Sequence, residues 1–123
     1  MAWEIEGTDQ FEEWYARLTA DEQLAVEYSI GILAEIGPEL GRPHVDHVER
    51  SRHANMKELR TQACGRPIRT FFAFDPRRTA ILLIGGDKTG DPNFYHEMIP
   101  TADALYDEHL DTIALEARER KPR

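Results

Sequence analysis

Hydrophobic and polar residues alternate one by one at the start of the chain and at helical spacing soon after. Residues 3–6 have the alternation of a half-buried strand, and Gly7 ends it. Thr8 or Asp9 can cap a helix that follows. Its apolar side chains recur at i, i+3, i+4 and i+7, which is the spacing of one buried helical face: Phe11, Trp14, Tyr15 and Leu18.

A second helix is predicted from about residue 20. Residues 19–22 have the sequence of a capping box, in which a Thr hydroxyl and a Glu carboxylate satisfy amides at a helix start. Gly37 and Pro38 end the helical period. The two helices therefore form a hairpin, whose aromatic stripe we interpret as core.

Three stretches between residues 56 and 88 have the pattern of strands. Residues 56–60 alternate, while residues 68–74 and 79–85 are rich in β-branched and aromatic side chains. Residues 75–78 contain Asp and then Pro, as a tight turn requires. The pattern predicts a β-meander of three antiparallel strands.

The chain returns to helical spacing near its end. Asp91 and Pro92 can begin a helix as its cap and first residue, and Pro100 is expected to kink or break it after Ile99. A helical stripe follows, and residues 116–123 are a charged tail. The predicted order is β-α-α-β-β-β-α, an α+β domain with its helices against one face of an antiparallel sheet.

Residues 37–55 have little periodicity and are predicted to be a connection. His44, Asp46, His47 and His53 fall within it. A metal needs ligands that converge at a fixed geometry, and spacing along a loop does not establish this. We therefore expect histidines that titrate near neutrality, with no metal and no other cofactor.

Charge is strongly segregated along the chain, whose net charge is −8. Residues 1–41 contain ten acids and one base, whereas residues 42–88 contain ten bases and five acids. The positive charge thus coincides with the predicted meander. It is either a phosphate-binding patch on an acidic protein or a basic but merely solvated sheet face.

Length and composition exclude several other classes. A chain of 123 residues fits one domain, residues 1–123, with a single core. No apolar run approaches the roughly 20 residues of a membrane span, and the N-terminus is acidic where a signal peptide is basic, so we expect a cytoplasmic protein. Cys64 is the one cysteine, which excludes an intrachain disulfide.

The order and spacing of three segments resemble the RelE/HigB-like toxins of type II toxin-antitoxin systems, in particular the phage-derived HigB-type branch. The segments are Met56-Lys57-Glu58-Leu59-Arg60, residues 66–75 and residues 80–88. The resemblance implies a RelE-like sheet of the microbial-RNase type. It also implies an endoribonuclease that cuts messenger RNA in the ribosomal decoding site, and a helix-turn-helix antitoxin as its partner.

Cleavage of RNA without a metal uses the neighbouring 2′-hydroxyl as nucleophile. A base must take its proton, cations must stabilise the charged phosphorane, and a donor must assist the leaving 5′-oxygen. The resemblance places a phosphate-gripping arginine at Arg69, a basic residue at Lys88 and a tyrosine at Tyr95. The candidate site residues are Arg69, Arg60, Lys57, Lys88, Glu58 and Tyr95.

The pleat restricts how these side chains can combine. In a strand, Glu58 and Arg60 share one face while Lys57 lies on the other, so the two faces cannot both be catalytic. Several relatives have two lysines in this strand and an arginine after the last strand. This chain has one lysine there and Thr89-Gly90-Asp91 near the second position, so no general acid is assigned.

Other interpretations of the same residues remain open. The arginines could form sheet salt bridges with Glu58 and Asp75, the lysines could be solvated surface, and Tyr95 could anchor a helix. At the level of function, the alternatives are a ParE-like toxin that binds DNA gyrase without cutting RNA, and a non-catalytic module that binds an antitoxin.

Overall fold

The fold is described by a computed structural model, which covers residues 2–120. Its sheet has five strands in the order β1-β5-β4-β3-β2, with β1 parallel to β5 and all other neighbours antiparallel. The elements are β1 (Ile5–Gly7), α1 (Asp9–Ala16), α2 (Ala20–Ile36), a short 3-10 helix (Gly37–Glu39), β2 (Val45–His47), β3 (Lys57–Ala63), β4 (Arg66–Phe74), β5 (Ala80–Asp87) and α3 (Phe94–Arg120).

Both N-terminal helices begin at the predicted caps. The Thr8 hydroxyl accepts a hydrogen bond from the Phe11 amide at 3.0 Å, so Thr8 rather than Asp9 is the cap of α1. At α2 the capping box is complete, because Glu22 N donates to Thr19 Oγ1 at 3.2 Å and Thr19 N donates to Glu22 Oε1 at 2.9 Å. Local sequence alone therefore determines where the helical hairpin starts.

The helices pack on both faces of the sheet, so the prediction that they lie on one face is wrong. The apolar side of α1 and α2 covers one face, where Leu59 and Phe72 are fully buried. The buried side of α3 covers the other face, where Phe71 and Leu83 are fully buried. The physical reason lies in the apolar runs of β4 and β5, because a strand covered on both sides has no polar face.

The C-terminal helix differs from its prediction at two points. It begins at Phe94, and Asp91 instead accepts a hydrogen bond from the Asn93 amide at 2.9 Å in the turn before it. It also continues through Pro100 to Arg120, so the predicted break is absent. Pro100 and His96 are both exposed, and water can therefore satisfy the His96 carbonyl that loses its helical donor.

The predicted connection, residues 37–55, contains a strand that periodicity could not reveal. β2 is only three residues long, and it pairs with β3 from Val45↔Leu59 to His47↔Lys57. Residues 51–53 of the connection are bound to α3, where His53 Nε2 lies 2.7 Å from Asp107 Oδ1. Within residues 2–120 no three histidine, cysteine or carboxylate side chains are grouped as a metal site would require.

In the part of the chain that the structure describes, none of the helices has the length and apolarity to cross a membrane.

Candidate functional site

Two arginines lie directly opposite each other in the sheet. Arg60 of β3 and Arg69 of β4 are register partners, on the face that α3 covers. Like charges at facing positions repel, so the pair needs a counter-charge. Glu58 supplies it: its Oε2 lies 3.5 Å from Arg60 Nη2, and its Oε1 lies 3.7 Å from Arg69 Nε. We call Glu58, Arg60 and Arg69 the arginine-carboxylate cluster.

Tyr95, in the first turn of α3, completes the cluster from above the sheet. Its hydroxyl donates to Glu58 Oε1 at 2.6 Å. Burial, and then the hydrogen bond to the Glu58 carboxylate, raise the pKa of Tyr95, although nearby Arg69 opposes this shift. The tyrosine is therefore protonated at neutral pH and acts as a hydrogen-bond donor. Its ring also packs against Phe71 and Phe94, so it anchors α3 as well as reaching the site.

Lys88 lies at the end of β5, on the same side of the molecule. Its Nζ is 5.3 Å from the centre of the Tyr95 ring, which is within cation–π range. The loop is held by Lys88 N, which donates to the Pro67 carbonyl at 3.0 Å. The ammonium group thus adds a third positive charge beside the two guanidinium groups.

Glu58 and Arg60 of the cluster line an open groove of about 590 Å³ between β3, β2 and the start of α3. We call it the cationic groove. Its bases and histidines outnumber its acids; the charged and aromatic residues that line it are Arg42, Asp46, His47, Glu49, Arg50, Glu58, Arg60, Lys88, Tyr95 and His96. An open, positively charged concavity of this kind suits a phosphodiester chain.

Both arginines of the cluster retain unused donors. Arg69 is 8% exposed and Arg60 is half-buried, yet the Nε of each is buried without a hydrogen-bond partner in the described structure. Arg69 Nη1 donates to its neighbour's carbonyl, at Ile68, at 3.1 Å. A buried guanidinium nitrogen without a hydrogen-bond acceptor is costly, and the Glu58 Oε1 that ion-pairs with Arg69 Nε lies beyond hydrogen-bond range at 3.7 Å, so a closer anion would stabilise this arginine.

Arg42 and Asp46 form the rim of the groove. Arg42 Nη2 donates to Asp46 Oδ2 at 3.0 Å, and Arg60 Nη2 lies 3.4 Å from the same oxygen. The hydrogen bond from Arg42 holds the pKa of Asp46 below its usual range, since it outweighs the effect of burial. The carboxylate therefore stays ionised and orients the Arg60 guanidinium.

Lys57 does not belong to this site. It lies on the opposite face of β3, where its Nζ donates to the Pro38 carbonyl at 3.1 Å and helps to hold the end of α2. The pleat argument predicted that Glu58 and Arg60 would be separated from Lys57, and this separation is confirmed. For the same reason the structure does not bring Lys57 together with the other five predicted site residues.

The sequence also suggested that Arg60 and Arg69 form salt bridges with Glu58 and Asp75, and the structure shows this for Glu58 alone. Both arginines pair with Glu58, but Asp75 is bound to Arg77 Nη2 at 2.8 Å and to His109 Nε2 at 2.8 Å instead. Burial raises the pKa of Asp75, but hydrogen bonds from Arg77 and His109 outweigh it and lower the pKa overall. This second cluster ties α3 to the turn between β4 and β5.

Sequence reasoning missed several residues of the groove. Arg42 and Arg50 were counted as charge but not as site residues, and His47 and His96 were not assigned to it. They come from the connection before β3 and from the first turn of α3, which meet only in the folded molecule. The excess of bases and histidines in residues 42–50 was the one available signal.

Comparisons with known proteins find matches both in sequence and in fold. A family model described as "Phage derived protein Gp49-like (DUF891)" matches residues 13–107. Two proteins of Mycobacterium tuberculosis (strain ATCC 25618 / H37Rv) are similar in sequence. "Putative toxin HigB3" is 50% identical over 95 residues, which are 76% of this chain and 82% of that protein. "Putative toxin HigB2" is 44% identical over 104 residues, 83% of this chain; the chain spans about half of that relative's length, 52%.

Two solved structures share the fold. A mutant of E. coli toxin RelE in the free state has a TM-score of 0.57 and 7% sequence identity, over 76% of this chain and 92% of that one. The archaeal RelE-RelB complex from Pyrococcus horikoshii OT3 matches with a TM-score of 0.53 and 10% identity, over 73% and 99% of the two chains. At these identities the likeness concerns the fold alone, and it confirms the predicted RelE-like α+β architecture.

Proposed function

The chain belongs to the phage-derived Gp49-like family of HigB/RelE-type toxins, and on that premise we propose that it is a metal-independent endoribonuclease that cuts messenger RNA on the ribosome and so inhibits translation. It would act in the cytoplasm, as a single-domain toxin that a helix-turn-helix antitoxin keeps silent. The observation that carries the proposal is the arginine-carboxylate cluster, in which two arginines flank one carboxylate under a tyrosine hydroxyl.

The proposed reaction begins with the phosphate. Arg69 and Arg60 bind its non-bridging oxygens, since a guanidinium fork fits two phosphate oxygens at once. The Nε atoms of both arginines, which lack a hydrogen-bond acceptor within the described residues, become available as donors when the guanidinium groups turn toward the phosphate. As the 2′-hydroxyl attacks phosphorus, charge accumulates on those same oxygens, and the fixed cations stabilise it more strongly than in the ground state.

Proton transfer is proposed for the groups around Glu58. The Glu58 carboxylate accepts the proton of the 2′-hydroxyl once the phosphate has drawn the arginines away from it. Tyr95, whose hydroxyl already donates to Glu58, then orients the nucleophile. Lys88 is the nearby cation available to the departing 5′-oxygen. The departing 5′-oxygen takes a proton from water, and Glu58 returns the proton of the 2′-hydroxyl to the solvent. The products are then a 2′,3′-cyclic phosphate and a 5′-hydroxyl, and atoms and charge balance.

Arg69→Ala tests the proposal most simply. The chain is induced in a bacterium, and 5′ ends are mapped on a translated and an untranslated copy of one message. We expect cuts in the translated copy only, and a loss of about a hundredfold or more with Arg69→Ala, because a transition-state donor is removed. Lys57→Met is the matched control, since it removes a cation of the same sheet from the opposite face.

Other outcomes point to other functions. Growth arrest with intact messages would favour a target such as DNA gyrase and would contradict the nuclease. No arrest and no cleavage, with antitoxin binding lost in Arg69→Ala, would indicate a binding module. Equal cleavage of the translated and the untranslated message would support the nuclease activity and contradict its dependence on the ribosome.

A further inference from the structure

A second groove opens beside the cationic groove, at the edge of the sheet. β2 pairs with β3 as far as Leu59, and the Arg60 amide still donates to the His44 carbonyl at 2.7 Å, so the outer edge of β3 is uncovered only from Thr61 onward. There a groove of about 530 Å³ lies between α2, β3 and the turn that leads into β2. We call it the Tyr28 groove; its polar and aromatic lining includes Tyr28, Ser29, His44, Arg60, Gln62 and Arg69.

The two grooves are joined at the arginine pair. Arg60 lines both of them, and Arg69, which ion-pairs with Glu58 of the cationic groove, lines the Tyr28 groove. Arg69 is nine-tenths buried, and its Nε has no hydrogen-bond partner. An anionic group held by this pair would therefore lie at the junction, and whatever is attached to it could extend into either groove.

Tyr28 is unusual among the aromatic residues of the chain. Its side chain is 72% exposed, although tyrosine normally buries most of its ring. The helix that carries it is fixed to the sheet, because the next residue of α2, Ser29, accepts a hydrogen bond from the Thr61 hydroxyl of β3 at 2.8 Å. The ring therefore lines the same groove as the two arginines.

The charge of this groove distinguishes it from the rest of the surface. In a protein of net charge −8, the described residues that line the Tyr28 groove include two arginines and a histidine and no carboxylate. Its apolar lining comes from Ala25, Pro43 and the Tyr28 ring. Flat apolar surface beside phosphate-binding cations is the combination that binds single-stranded nucleic acid.

We propose that the Tyr28 groove is a nucleobase subsite, in which a base next to the phosphate held by Arg60 and Arg69 stacks on the ring of Tyr28. The subsite deepens the proposed function, on which it rests, by naming a residue that selects and orients the RNA strand. Stacking tolerates any base, because every base has a π face, so Tyr28 would contribute affinity and register rather than a strict sequence preference.

The test measures binding of a short, fluorescently labelled single-stranded RNA that is 2′-O-methylated throughout, and hence lacks the nucleophile. Fluorescence anisotropy at low salt gives its dissociation constant for the wild type, Tyr28→Ala, Tyr28→Phe and Leu24→Ala. Leu24 is the matched control, since it is 64% exposed on the same helix but does not line the groove. A second probe has the same backbone with abasic residues.

We expect Tyr28→Ala to weaken binding of the base-containing RNA by roughly five- to a hundredfold. It should change binding of the abasic probe by less than about twofold, because that probe has nothing to stack. Tyr28→Phe should bind as the wild type does, because it keeps the ring, and Leu24→Ala should have no effect. An exposed residue of this kind can be replaced without loss of the fold.

Three results would overturn the subsite. In the first, Tyr28→Ala binds each probe as tightly as the wild type does. In the second, Tyr28→Ala loses the same affinity for the abasic probe as for the base-containing RNA. In the third, the wild type binds neither probe. A loss of antitoxin binding in both Tyr28→Ala and Leu24→Ala, with RNA binding unchanged, would likewise replace the subsite by a protein interface. Cleavage of a translated message by the same variants is measured separately. If the message is cut but Tyr28→Ala binds RNA normally, the proposed nuclease activity stands and only the subsite is contradicted. If Tyr28→Ala weakens RNA binding but the wild type cuts no message, only the nuclease activity is contradicted.

Discussion

At the scale of single residues, Glu58 has the most connections in the candidate site. Its two oxygens contact Tyr95, Arg60 and Arg69, and it is only 4% exposed. In the free protein it neutralises the arginines. In the proposed reaction it must give them up to the phosphate and then take a proton. One side chain therefore opposes substrate binding and promotes the chemical step.

Glu58→Gln should separate those two roles. We expect cleavage of a translated message to fall about 10²- to 10⁴-fold, the range for loss of a general base. Binding of the non-cleavable RNA should stay equal or become tighter, because a negative charge beside the phosphate is gone. Single-turnover cleavage and anisotropy measure the two effects. Glu49→Gln is the control, a carboxylate that lines the same groove without contacting the arginine pair.

Unchanged cleavage by Glu58→Gln, with the protein still folded, would remove Glu58 from the reaction and leave it a structural counter-ion. The unfolding midpoint of the variant checks the fold, because Glu58 is buried between charged partners.

At the scale of elements, local signals predicted what local interactions determine. The caps of α1 and α2 and the three meander strands follow from neighbouring residues, and the structure has them. What was missed depends on contacts distant in sequence. β2 exists through pairing with β3, and α3 occupies the second sheet face by packing on Phe71 and Leu83. No pattern within either segment contains that information.

At the scale of elements, Asp75, Arg77 and His109 form a cluster that joins α3 to the turn between β4 and β5, and the stability that it contributes depends on pH. Because the pKa of Asp75 is lowered in the folded protein, its contribution to stability is complete above the unfolded value of about 3.9 and is lost as the pH falls through the folded value. Asp75→Asn should cost about 1–3 kcal/mol of unfolding free energy at pH 7. It should also reduce the loss of stability as the pH falls below about 4. Urea unfolding at several pH values measures both.

An equal pH dependence of wild type and Asp75→Asn would show that Asp75 titrates alike in the folded and unfolded chain. The contacts between α3 and the turn that joins β4 to β5 would then not depend on the charge of Asp75. Glu108→Gln is a suitable control, because it removes an exposed acid of the same helix.

At the scale of the whole molecule, the segregation of charge predicted the position of the site better than any single motif. The basic middle of the chain supplies β3, β4 and β5, and most cations of the cationic groove come from it. The acidic N-terminal helices cover the opposite face, with Arg60 and Arg69 reaching past their edge. Charge pattern and pleat could place Glu58 and Arg60 together. They could not place Tyr95, which reaches the site only because α3 crosses the second face.

The central claim is that the arginine-carboxylate cluster directs a neighbouring 2′-hydroxyl onto the phosphate. The most direct measurement uses purified protein and ribosomes stalled on two synthetic messages, which differ only in a single 2′-deoxy nucleotide on the 5′ side of the mapped cut. We expect the all-ribose message to be cut to a 2′,3′-cyclic phosphate and a 5′-hydroxyl, and the deoxy message to stay intact at that bond. Cleavage of the deoxy message at the same bond, or a product with a 5′-phosphate, would contradict it.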